Sequence, residues 1–94
     1  MRWRDGLVVE KDANSVLDWR FDWSRWLSPG DSVSSHSVIA DSGITVDSSS
    51  VVGNSVVVWL SGGTAGRSYD VTVRVTTTGG RTDDRTVKFK VLDL

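Results

Sequence analysis

A strict alternation late in the chain constrains the fold more than any other sequence feature. The segment SYDVTVRV, from Ser68 to Val75, places one tyrosine and three valines at every second position and polar residues between them. Successive side chains of a β-strand point to opposite faces, so this pattern is typical of a strand with one face in a core. The segment is therefore predicted to be a half-buried strand.

Shorter alternating segments recur along the rest of the chain at the spacing of roughly 8–12 residues that is typical of sandwiches and barrels. Valine and threonine supply 24 of the 94 residues, whereas the chain has three alanines, one glutamate and no glutamine. β-Branched residues pack well on a sheet and lose side-chain freedom in a helix. We expect one all-β domain of about seven short antiparallel strands. The predicted strands cover residues 7–10, 16–22, 32–39, 44–51, 55–60, 68–75 and 86–91.

The predicted hairpin at the end of the chain joins its last two strands through a long loop, TTTGGRTDDR, in which Gly79-Gly80 is a strong turn signal.

The tryptophan-rich segment before Pro29-Gly30 can be interpreted in two ways. Trp19, Trp23 and Trp26 have the i, i+4, i+7 spacing of a helix stripe, but the alternation up to position 22 favours a strand. An isolated helix of this length is marginal in water. We expect a strand followed by one short helical turn over Trp23–Leu27.

The five tryptophans have two interpretations. Trp19 is assigned to the core. In one interpretation Trp23 and Trp26 seal one end of the sandwich, and in the other Trp26 or Trp59 lies on an exposed patch that docks another chain. Arg20 and Arg25 lie close enough in sequence to stack on the rings of Trp23 and Trp26.

The single tyrosine favours one class of sandwich. In immunoglobulin-like and fibronectin-like domains, a tyrosine at the start of a late strand turns its hydroxyl back onto the backbone upstream. Tyr69 follows the glycine-rich turn SGGTAGRS and opens the clearest strand. The predicted fold is therefore an immunoglobulin-like/fibronectin-like β-sandwich, although an ordinary inward aromatic also satisfies the pattern.

Two long segments resemble a family of small immunoglobulin-like virion proteins of tailed bacteriophages and prophages. They are KDANSVLDWRFDWSRWLSPGD (Lys11–Asp31) and VWLSGGTAGRSYDVT (Val58–Thr72), the latter followed by TTGGRTDDR (Thr77–Arg85). The chain departs from the pattern at Val38, where a tryptophan is expected. The resemblance implies a virion part with an immunoglobulin-like fold, and it implies no catalytic residue.

Composition argues against several other functions. The net charge of −1 and the pI of about 5.6 give no basic face for nucleic acid. No apolar run reaches the roughly 20 residues of a membrane span, and the N-terminus lacks the apolar segment of a secretory signal. Without cysteine, no disulfide or thiolate metal site can form.

The titratable residues give no convincing catalytic set. His36 is the only histidine, lies in a serine-rich segment and is expected to be exposed and inert. Asp83 and Asp84 stand beside Arg81 and Arg85 in a predicted loop, which indicates a solvated cluster. We expect no enzymatic activity, no cofactor and no bound metal.

The sequence therefore predicts a binding protein with an arm at residues 1–6 and one domain at residues 7–94. Arg2, Trp3, Arg4, Trp26 and Trp59 are the candidate contact residues, because aromatics and arginines dominate interface hot spots.

The leading hypothesis is capsid decoration in the virion, with the major capsid protein as partner, after synthesis in the cytoplasm of the bacterial host. The alternatives are a neck or tail component and a displayed module that binds host glycan. A homo-oligomer on the particle is compatible with each of these hypotheses.

Overall fold

The computed structural model describes residues 7–93, with Leu7 described by its backbone only. These residues form an all-β protein, as predicted, and the seven expected strands are all present. The strands are β1 (Leu7–Asp12), β2 (Leu17–Asp22), β3 (Val33–Ala40), β4 (Ile44–Val52), β5 (Ser55–Gly62), β6 (Ser68–Thr77) and β7 (Thr82–Leu92). The predicted arm at residues 1–6 lies outside the described residues.

The strands form two sheets that face each other as a sandwich. The four-stranded sheet has the order β1-β7-β6-β3, and the three-stranded sheet has the order β2-β5-β4. Four of the five strand pairs are antiparallel, but β1 pairs with β7 in parallel, contrary to the fully antiparallel prediction. A parallel pair needs a long connection between its strands, and here almost the whole chain supplies it.

The core lies between the sheets and is built from the alternating positions that the sequence indicated. Both sheets contribute fully buried aliphatic and aromatic side chains, each stabilising the fold by about 1.5–3 kcal/mol relative to exposure. Trp19 packs at the margin of this cluster, edge-on to Phe89 with ring centroids 6.3 Å apart. The buried residues are Phe21, Trp23, Ile44, Val56, Val58, Leu60, Tyr69, Val71, Val73, Val75, Val87, Phe89 and Val91.

One end of the sandwich, here called the corner end, consists of the turns at residues 13–16, 41–43 and 63–67. The hydroxyl of Tyr69 accepts a hydrogen bond from the Thr64 backbone N–H at 2.9 Å, which confirms the predicted return of this side chain onto the upstream backbone. A Cβ at Gly43 would lie 2.8 Å from the tyrosine ring, and a Cβ at Gly63 would lie 2.7 Å from a methyl of Val91, so neither position has room for a side chain. The corner end is thus fixed by tight packing around one ring.

The Nζ atom of Lys11 is the second fixed point of the corner end. It donates hydrogen bonds to the carbonyls of Asp12, Ser15 and Gly62 at 2.9, 2.7 and 2.9 Å. The side chain is 1% exposed, so these bonds replace almost all of its hydration. They join the β1–β2 turn to the end of β5.

The predicted helical turn over Trp23–Leu27 is absent. The amides of Trp26 and Leu27 both donate to the carbonyl of Trp23, at 2.9 and 3.1 Å, and close a single irregular turn. Because Trp23 packs into the core and its own amide donates to Asn54, the segment is held by tertiary contacts rather than by a helical repeat.

The predicted long loop of the last hairpin is shorter than expected, since the strands extend to Thr77 and from Thr82. Within residues 7–93 the chain has no helix that is long and apolar enough to cross a membrane.

Candidate functional site

The opposite end of the sandwich, here called the loop end, carries the longest connection of the described chain, residues 23–32. The loop end consists of residues 23–32 between β2 and β3, residues 53–54 between β4 and β5, and residues 78–81 between β6 and β7. Backbone hydrogen bonds join the three connections: Trp23 donates to Asn54 at 3.0 Å, and Thr78 donates to Ser32 at 2.9 Å. The loop end therefore presents one continuous surface.

Trp23 seals the sandwich beneath this surface. Its ring is fully buried and stacks on Phe21, with centroids 6.1 Å apart and planes 22° apart. Its indole Nε1 donates to a carboxylate oxygen of Asp83 at 3.0 Å, so the only polar atom of the ring is satisfied. This position agrees with the interpretation that Trp23 closes one end of the fold.

Arg85 covers the other side of the same ring. Its guanidinium carbon lies 4.8 Å from the ring centroid, and its Nη1 donates to the backbone carbonyl of Asp22 at 2.6 Å. Its Nε donates to Asp83 at 3.2 Å, and the side chain is 5% exposed. Arg85 therefore helps Trp23 to close this end of the core, and little of its own surface remains for contact with a partner.

Asp31 ties the two longer connections of the loop end together. Its Oδ1 accepts hydrogen bonds from the Thr78 hydroxyl at 2.6 Å and from the backbone amides of Gly79 and Ser32, each at 3.0 Å. The Thr78 hydroxyl, and to a smaller extent the Thr77 hydroxyl and the two backbone amides, lower the pKa of Asp31 to about 2. The carboxylate is therefore charged at any physiological pH.

Arg81 and Trp26 form the exposed part of the loop end. The guanidinium carbon of Arg81 lies 4.2 Å from the centroid of the Trp26 ring, close enough for a cation–π interaction. Its Nη1 also donates to the Ser28 hydroxyl at 3.0 Å and to the Trp26 carbonyl at 3.4 Å. Arg81 is exposed and Trp26 is half-buried, so solvent reaches the pair.

The structure shows Arg81 over the ring of Trp26 and Arg85 over the ring of Trp23, two contacts that the sequence did not indicate. Arg81 is 55 positions from Trp26, and no local spacing could have indicated the contact. The nearest sequence signal is the turn chemistry of Pro29-Gly30 and Gly79-Gly80, which marks two loops without showing that they meet.

Trp59 lies on a different surface, the outer face of the three-stranded sheet. It is 42% exposed in the central strand β5, between Asp18 of β2 and Ser48 of β4. Val57, on the same outer face, is half-buried. The structure thus separates the two predicted contact tryptophans, while the remaining predicted contacts, Arg2, Trp3 and Arg4, lie outside the described residues.

His36 is half-buried between the sheets rather than exposed as predicted. Its Nε2 lies 3.0 Å from the Ser49 hydroxyl and links β3 to β4, because both side chains point into the sandwich. No carboxylate of residues 7–93 hydrogen-bonds this ring, so the third member of a catalytic triad is missing from the described chain.

The acidic pair of β7 is engaged in ion pairs. Asp84 accepts two hydrogen bonds from Arg74, at 2.7 and 3.0 Å, which lower the pKa of its carboxyl group. Asp83 accepts hydrogen bonds from the Trp23 indole and from Nε of Arg85. No cluster of three or more metal-ligating side chains occurs within the described part of the chain.

Comparison with known proteins gives one family. Residues 11–90 match the sequence profile of Gp77, described as podophage GP4 fiber-tail adaptor protein gp77. Curated proteins give no match. The family match supports a virion structural protein and favours the neck-or-tail alternative; it does not support capsid decoration or the major capsid protein as partner.

Proposed function

The chain belongs to the family of the podophage GP4 fiber-tail adaptor protein gp77, and we propose that it joins tail fibres to the tail by binding virion proteins on both sides. The family match over residues 11–90 is the observation that carries this proposal. It makes the protein a phage structural component of the virion.

We propose that the sandwich belongs to the immunoglobulin-like class, and its topology supports this proposal. The second, fifth and fourth strands share one sheet and the third, sixth and seventh the other, as in immunoglobulin domains. The hydrogen bond to the Tyr69 hydroxyl at the turn before β6 supports the same assignment. A rigid module of this kind suits a protein that holds two others at a fixed separation.

Two separate surfaces support contact with two partners. The loop end exposes Arg81 and Trp26, and the outer face of the three-stranded sheet exposes Trp59. Arginine and tryptophan are enriched among the residues that contribute most to binding energy. We assign one partner to each surface.

The proposed function involves no chemical step. The catalytic groups considered within residues 7–93 are engaged in structural contacts: His36 with Ser49, and Asp83 and Asp84 with side chains of the fold.

The test is to assemble phage particles from a strain in which the gene is interrupted. We expect such particles to retain heads and tails but to lack fibres, and purified chain added afterwards should restore fibre attachment, counted by electron microscopy. Normal fibre numbers on particles without the chain would contradict the proposal. Binding of the chain to heads without tails would restore the capsid hypothesis.

Trp59→Ala and Arg81→Gln separate the two surfaces. Each variant should lose binding to one purified component, fibre or fibreless particle, and keep the other. Selective binding on a glycan array that Trp59→Ala abolishes would instead assign the outer face to a sugar.

A further inference from the structure

Arg81 is an exposed side chain held in a fixed position. Stacking on Trp26 at 4.2 Å and the two hydrogen bonds from Nη1 restrict the guanidinium before any partner arrives. Ordering a long side chain at an interface otherwise costs conformational entropy. A restricted arginine is therefore a better anchor than a mobile one.

The charge of Arg81 is not matched by an acidic group of the described chain. Arg74, Arg85 and Lys88 form ion pairs with carboxylates, whereas Arg81 forms none within residues 7–93. Asp31 borders the same surface, but its Oδ1 is occupied by the three donors described above.

The free edge of Arg81 has the geometry to bind a carboxylate. Both intramolecular hydrogen bonds use Nη1, which leaves Nε and Nη2 without a partner in the described chain. The same edge of Arg74 binds Asp84, with Nε–Oδ1 at 2.7 Å and Nη2–Oδ2 at 3.0 Å. Two parallel hydrogen bonds of this kind are among the strongest and most directional in proteins.

We infer that the Arg81–Trp26 pair is an anchor for an acidic side chain, Asp or Glu, of a tail or fibre protein. The inference rests on the proposed adaptor function and names the chemistry of its partner at the loop end. Phosphate of nucleic acid is a weaker match, because the chain has a net charge of −1 and its exposed cations are interspersed with acids.

The anchor is tested by measuring how tightly the chain binds fibreless particles and purified fibres. Purified wild-type chain is titrated against fibreless particles and against purified fibres, and the component affected by Arg81→Gln is identified. We expect Arg81→Gln to weaken binding to one component about 10-fold or more and Arg81→Lys to have an intermediate effect, because lysine lacks the planar fork. Raising the salt concentration should weaken wild-type binding more steeply than binding of Arg81→Gln.

Arg67→Gln is the matched control. Arg67 is an exposed arginine in a turn of the corner end, so the variant makes the same change in net charge away from the loop end. Its affinity should equal that of the wild type. Unfolding midpoints of all variants show whether the loop end still folds.

A zero-length cross-link identifies the partner group. A carbodiimide couples an amine to a carboxylate, so the amine that Arg81→Lys introduces should form an amide with an Asp or Glu of the bound component, located by mass spectrometry. Cross-linking to a glycan carboxylate, or no cross-link from this position on bound material, contradicts the inference.

The two proposals fail differently. If wild-type chain binds neither component, the adaptor function itself is wrong. If wild-type chain binds and Arg81→Gln binds equally well, or Arg67→Gln is weakened as much, only the anchor is wrong.

Discussion

The ammonium group of Lys11 shows how one buried charge can hold a turn in place. Its three backbone acceptors use all three of its donors. Lys11→Met keeps the length of the side chain but removes all three hydrogen bonds; the Asp12 carbonyl keeps the Ser15 amide and hydroxyl as donors, whereas the carbonyls of Ser15 and Gly62 lose the lysine. We expect a loss of about 3–5 kcal/mol in the free energy of unfolding, measured by urea denaturation.

Lys90→Met is the control for Lys11→Met. Lys90 is exposed on β7 and makes no side-chain hydrogen bond within the described chain. Its removal should change the free energy of unfolding by less than about 0.5 kcal/mol. Equal losses in the two variants would show that the bonds of Lys11 contribute nothing specific.

Asp31 gives the loop end a predictable dependence on pH. Because its folded pKa is lowered from 3.8 to about 2, its contribution to stability is fully present above about pH 4. The contribution is lost as the pH falls towards 2. The difference in melting temperature between wild type and Asp31→Asn should therefore shrink over this range, as followed by thermal denaturation.

Thr78→Val checks the cause of this dependence. The Thr78 hydroxyl makes the largest contribution to the lowered pKa, and the variant removes it while keeping the carboxylate. The difference in melting temperature between wild type and Thr78→Val should also shrink below about pH 4. If the melting temperatures of both variants differ from that of the wild type by a constant amount from pH 5 to pH 2, Asp31 is not the titrating group.

At the scale of elements, several residues of the segment WLSGGTAG have a defined structural role at the end of β5 and in the turn that follows it. Leu60 fills the core, Gly62 supplies a carbonyl to Lys11, and Thr64 donates to the Tyr69 hydroxyl. Gly63 has φ +93°, and a Cβ there would lie 2.7 Å from a methyl of Val91. The string therefore specifies a tightly packed turn.

Gly63→Ala and Gly66→Ala separate backbone strain from packing in this turn. Both glycines have positive φ, but a Cβ at Gly66 meets open space. We expect Gly66→Ala to cost about 1–2 kcal/mol, and Gly63→Ala to cost roughly 1–3 kcal/mol more because Val91 must move. Equal unfolding free energies for the two variants would contradict the close packing at Gly63.

At the scale of the whole molecule, the two ends of the sandwich differ in kind. The corner end is closed by Tyr69, by the close packing at Gly43 and Gly63, and by Lys11. The loop end instead exposes Arg81 above the buried ring of Trp23. With overall extents of 43 × 24 × 18 Å, the protein is elongated. Such a shape suits a connector between larger components.

The sandwich should unfold as one cooperative unit. Tryptophan fluorescence and far-ultraviolet circular dichroism should give the same denaturant midpoint, because the two sheets share one core. Refolding should take milliseconds to seconds, since most strand pairs join distant segments. With no cysteine in the chain, a reducing agent should change neither result. Two separate transitions would contradict the single core.

The sequence by itself determined the strands, their buried faces and the role of Tyr69, because side-chain alternation and turn residues act within a few positions. It did not determine the partners of Trp26 and Trp23, the burial of Lys11 or the position of His36. Each of these depends on groups brought together from distant parts of the chain by the pairing of strands. For the same reason the anchor at Arg81 became visible only when two loops, more than 50 residues apart, were placed side by side.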